Sequence, residues 1–131
     1  MLSALLQVRT LRGEGLRRAL GRLGAEREAL ERELAQAVDA QRAHGRLWRE
    51  QAAGQGLWSH VELQTSLCAL ARCQREALAL SERHAALMQR LDDVARESAR
   101  TADALRGNLR AQEKLRLLQG ETAAAPRRGR R

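Results

Sequence analysis

The chain has 131 residues, with 24 Lys plus Arg against 16 Asp plus Glu, a formal charge of +8, and neither Phe nor Tyr. That length allows one domain at most. Apolar residues make up 44% of it but aromatics only 2%, so the apolar content is nearly all Leu and Ala, which fill a narrow helical seam better than a globular core and argue against a compact enzyme.

There is no Ile and there are only four Val and four Thr, so almost nothing here would favour a sheet. The predicted fold class is all-α. The longest uncharged apolar stretch, Met1 to Val8, is far short of the roughly 20 residues that span a bilayer, and it does not read as a secretory signal. Residues 1–24 hold five Arg against one Glu, which is also the balance of a mitochondrial transit peptide. The same leucine spacing runs on past residue 24, which favours one continuous helix.

The first predicted helix covers 2–53, a turn follows at 54–59, and a second helix covers 60–119. Residues 120–131, with Pro126 and four Arg, read as a basic disordered tail. The turn rests on Gly54 and Gly56, and Gly54 suits the left-handed cap of a helix. Ser59 and Glu62 form a capping box that starts the second helix, with Trp58 and Leu63 placed for a hydrophobic staple. Arms of similar length joined by a short turn make an antiparallel coiled-coil hairpin over 1–119.

A 3,4 spacing threads each arm: 2, 6, 9, 13 and onward to 48, then 66, 70, 73 and onward to 112. Folded about the turn, it sets Leu20 against Val94, Leu34 against Leu80 and Ala37 against Ala77 as apolar layers. It also sets Leu30 against His84, Leu6 against Asn108 and Leu2 against Gln112. Five Gly in the first arm each cost about 0.5–1 kcal/mol relative to Ala.

The charge is unevenly spread. Residues 1–24 carry an excess of four positive charges and 127–131 another four, whereas 25–126 hold 15 basic and 15 acidic residues. A hairpin gathers that excess at its paired termini, where it would attract an acidic surface and weaken with salt. Pairs such as Glu28 with Arg32 and Asp92 with Arg96 support solvated helix faces. Nucleic acid is not an expected partner, because no aromatics stand among the basic residues for base stacking and no basic region runs into a strict zipper.

Chemistry-bearing patterns are lacking. Gly13-Glu14-Gly15 is not a phosphate loop, His44, His60 and His84 form no ligand cluster, and no Ser or Cys has a recognisable base motif. Cys68 and Cys73 are five apart on one helix, pointing about 140° away from each other, so they neither bridge nor pinch a metal, and they read as reduced thiols. No enzyme activity and no cofactor are expected. Trp48 and Trp58, beside Leu47 and Leu57, are the only two aromatics. They either plug and staple the turn end of the seam or dock a partner there.

Leu-Leu-x-Val-Arg-x-Leu-Arg at Leu5 to Arg12, a long Arg/Glu/Ala helix, Leu47-Trp48-Arg49-Glu50 before the turn and Leu57-Trp58 within it resemble the central stalk proteins of bacterial type III secretion, the YscO and FliJ family. The resemblance implies a hairpin seated in the hexameric export ATPase, stimulating it and reaching toward the export gate protein, in the cytoplasm at the membrane-embedded apparatus. It would place Val8, Arg9, Leu11, Arg12, Arg17 and Arg18 at the ATPase ring and Leu47, Trp48, Leu57 and Trp58 at the gate end. Secretion chaperones are a further candidate partner. The rival reading is a coiled-coil adaptor that dimerises through the same leucines, and a third, behind both, is a basic helical nucleic-acid-binding protein.

Overall fold

A computed structural model describes the backbone of residues 1–53 and 59–128 and the side chains of 1–52 and 59–121. It is an all-α helical hairpin of two long helices packed against each other, α1 over Leu2–Ala53 and α2 over His60–Arg128. The turn glycines Gly54 and Gly56, with Leu57 and Trp58, lie outside the described residues. Among the described residues no helix is long and apolar enough to cross a membrane.

The start of α2 is fixed by local hydrogen bonding. Glu62 N–H donates to Ser59 Oγ at 3.2 Å and Ser59 N–H donates to Glu62 Oε2 at 3.1 Å, so two of the amides a helix start leaves orphaned are satisfied reciprocally. At its other end α2 passes Gly120 and Pro126 and reaches Arg128, nine residues beyond the stop expected at Gln119. Glycine alone is a weak stop, at about 1 kcal/mol, and Ala123 to Ala125 are the strongest helix formers.

Contacts divide the hairpin into two units. One pairs residues 1–27 with 94–131, and the other comprises 28–93. In both, the 3,4 seam is the face turned inward. Its positions are buried or half-buried apart from Arg9, Arg27 and Ala77, and Leu23, Ala37, Leu87 and Val94 are the fully buried apolar residues among those described. Burying a Val or Leu side chain contributes about 1.5–3 kcal/mol, so three such residues and one Ala are a thin core for two helices of this length.

The facing pairs differ from the expected ones by one heptad. In the first unit Asn108 and Gln112 lie against Gly13, where a Cβ would stand 3.1 Å from Asn108 Oδ1 and 3.0 Å from Gln112 Nε2. Gln112 Nε2 donates to Arg9 O at 3.2 Å and to Asn108 Oδ1 at 2.6 Å. The expected layers of Leu6 with Asn108 and Leu2 with Gln112 are therefore replaced. In the second unit His84 Nδ1 lies 2.9 Å from Gln41 Oε1 rather than opposite Leu30.

The reason is the period itself. A seam of Leu and Ala repeating every seven residues is almost indifferent to sliding by seven. What distinguishes the registers is the pair of buried amides, 4% and 5% exposed, which need a facing residue without a side chain. Gly13 is the only glycine on the α1 seam. Its own N–H bonds to the Arg9 carbonyl in the helix, and that carbonyl's second lone pair takes the Gln112 amide. The shift sets Leu6 level with Leu115 and Leu2 level with Gln119, so α2 has a partner beyond Gln112.

Two outcomes follow. Gly21 and Gly24 are exposed with nothing within 4 Å of an added Cβ, so Gly21→Ala and Gly24→Ala should each raise the unfolding free energy by about 0.5–1 kcal/mol. Gly13→Ala should show no such gain, all three being read by urea denaturation. Replacing both Asn108 and Gln112 by Leu should not destabilise the chain but should release its register. With Cys68 and Cys73 changed to Ser, cysteines at Leu16 and Leu105 should cross-link in the native chain, and cysteines at Leu16 and Ser98 only in the double-Leu variant. Exclusive 16–105 trapping in that variant would show that the amides do not set the register.

Candidate partner-binding surfaces

The first turns of α1 alternate seam residues with arginine because Leu2, Leu6 and Leu16 take the inward face and leave the intervening positions to solvent. Arg9, Arg12, Arg17 and Arg18 are all exposed, and Val8 and Leu11 are 62% and 60% exposed. All six residues assigned by resemblance to the ATPase ring therefore lie on the surface of one unit. Arg9 occupies a seam position yet is exposed, its long stem carrying the guanidinium outward.

That unit concentrates the charge. It holds 16 basic against 6 acidic residues, whereas 28–93 holds 8 against 10. The excess is larger than the terminal segments alone suggested, because Arg100, Arg106, Arg110 and Arg116 of α2 belong to the same unit. Arg106 pairs with Asp103 one turn away, an exposed pair that contributes little to stability.

At the turn end the residues fare differently. Leu47 is 58% exposed, whereas Trp48 is half-buried at its seam position. Trp48 is thus a seam residue with part of its indole at the surface. Leu57 and Trp58, the other two of this group, lie outside the described residues.

One polar cluster was not legible in the sequence. His44 Nε2 lies 3.4 Å from Cys73 Sγ and 3.4 Å from Glu76 Oε2. Cys73 and Glu76 stand one turn apart on α2, and only the register brings His44 across to them, so no local motif could announce it. Both contacts use the same ring nitrogen, which is not the relay of a catalytic triad, where base and orienting groups occupy opposite nitrogens. Among the described residues no group of three or more His, Cys, Asp or Glu could hold a metal ion.

Comparisons of the chain with protein-family models, with curated proteins and with solved structures find no match.

The two thiols should differ sharply in reactivity. Cys68 is exposed and Cys73 is half-buried beside His44, so a thiol reagent should modify Cys68 roughly tenfold faster in the folded chain, with the difference vanishing in denaturant. Peptide mapping after timed quenching reads both rates, and equal folded-state rates would show that the Cys73 environment opens freely.

Proposed function

We propose that this chain is the central stalk of a bacterial type III secretion export apparatus, a helical hairpin that inserts its paired termini into the hexameric export ATPase and extends its turn toward the export gate. The observation that carries the reading is the unit pairing 1–27 with 94–131, which joins an excess of ten positive charges to a surface bearing Arg9, Arg12, Arg17 and Arg18. The resemblance of Leu5 to Arg12 and of Leu47 to Glu50 to that family supports it further.

A stalk of this kind performs no bond chemistry. Its surface differs on each side, so the subunits of a surrounding ring meet different side chains. Each meeting favours whichever nucleotide state binds that side best. Arginine suits the task, since its planar fork holds carboxylates without losing its charge. Exposed apolar residues such as Val8 and Leu11 between the arginines add short-range grip.

An adaptor that dimerises through the seam leucines is the second reading, and Leu67 and Leu78, off the seam at 56% and 60% exposure, would offer it further apolar surface.

Titrating the purified chain into a candidate export ATPase should raise its hydrolysis rate, and the stimulation should fall as salt rises. Changing Arg9, Arg12, Arg17 and Arg18 together to Glu should abolish stimulation at low salt with helicity by circular dichroism retained. Undiminished stimulation by that variant would overturn the reading.

A further inference from the structure

One face of α2 within residues 28–93 is apolar, uncharged and uncovered. Counting by threes and fours from Leu67 gives Ala71, Gln74, Leu78, Ser81, Ala85 and Met88, every one of them exposed. These positions follow the seam positions by one residue, so they form a second stripe beside the seam rather than part of it. The stripe lacks charge over three full heptads and stops at Asp92. Three heptads is the shortest run that sustains a coiled-coil seam, and at 1.5 Å per residue it is about 32 Å long.

The order of side chains along the stripe reads alike in both directions. Large apolar residues stand at the two ends and the centre, alanines one step in from each end, and a polar residue, Gln74 or Ser81, on either side of Leu78. An antiparallel copy of such a stripe therefore meets it like on like, large residue on large and alanine on alanine, in the two-fold arrangement where each residue contacts its counterpart reciprocally. Charge then selects the orientation. Arg75 and Glu82 are exposed on the outer flank, nearly equidistant from Leu78. Parallel pairing would set arginine on arginine and glutamate on glutamate. Antiparallel pairing sets Arg75 on the partner's Glu82 twice over, and like-charge juxtaposition is the stronger discriminator of the two.

We infer that the α2 stripe from Leu67 to Met88 is the docking face for a second copy of this chain, in an antiparallel two-fold dimer centred on Leu78. Leu67 packs on the partner's Met88, Ala71 on the partner's Ala85, Gln74 beside the partner's Ser81, and the two Leu78 side chains meet at the axis. The inference does not rest on the stalk reading, since the interface lies wholly in the unit 28–93. Three apolar anchors per copy make a modest interface, so association in the micromolar range is expected rather than an obligate dimer.

The full chain at about 100 μM should sediment as a dimer, well above a micromolar dissociation constant. Leu78→Asp should make it monomeric with unchanged helicity, and Arg75→Glu should weaken association at least tenfold, with Glu82→Arg in the same chain restoring it. In a chain whose Cys68 and Cys73 are Ser, Leu78→Cys should form an intermolecular disulfide under mild oxidation. Ala79→Cys, about 100° round the helix, should not. In the unaltered chain the two Cys68 lie far from the axis on opposite sides and should not cross-link. A monomer at that concentration, a dimer that survives Leu78→Asp, or Cys68 cross-linking between copies would each overturn the proposal. ATPase stimulation is read separately, so its loss and the loss of the dimer are distinguishable.

Discussion

Two side-chain amides packed against a helix backbone decide how this chain is paired. Gln112 and Asn108 bond to each other, and Gln112 also bonds to the Arg9 carbonyl, over the one seam position of α1 that has no side chain. Most of the rest of the seam is Leu, Ala or Val at a regular interval, which would accept the neighbouring register nearly as well. The arrangement has a cost. Asn108 Nδ2 is buried with no partner among the described residues, and a buried orphan donor costs about 1–3 kcal/mol. Stability is thereby exchanged for a single alignment, as when one buried polar residue fixes a coiled coil's register.

Much of the fold is legible in the sequence because it depends on local chemistry. The scarcity of β-branched and aromatic residues announces helices, and the Ser59–Glu62 box marks where the second begins. The 3,4 spacing identifies the inward face on both arms, down to the half-burial of Trp48. What local chemistry cannot supply is the phase of one arm against the other. A heptad pattern carries no information about multiples of seven, and counting outward from the turn glycines gives a value one heptad short. Reading Gly13 as a socket for Asn108 and Gln112, rather than as a mere helix-weakening residue, would have corrected it. The same missing phase hides the meeting of His44 with Glu76.

Partner surfaces are legible only as residue types. The arginines near the start of α1 and the apolar face of α2 are both visible as patterns, but their exposure is a property of the register and the seam geometry. Arg9 shows the difference. By position it belongs to the interior, and its reach allows it to serve the surface instead. The excess charge and the apolar stripe fall in different units.

The slipped alignment leaves the two helices unequal at the turn. Carried on toward the turn, the heptad shift sets the end of α1 short of the start of α2, and every described side chain from Ser59 to Thr65 is exposed. Among the described residues that overhang is held by end-capping and intrinsic propensity, which sustain only a marginal helix in water. Its amide protons should trade with solvent long before those flanking Val94, and a protease should make its first cut there, trimming the knuckle while the amide-locked half stays whole.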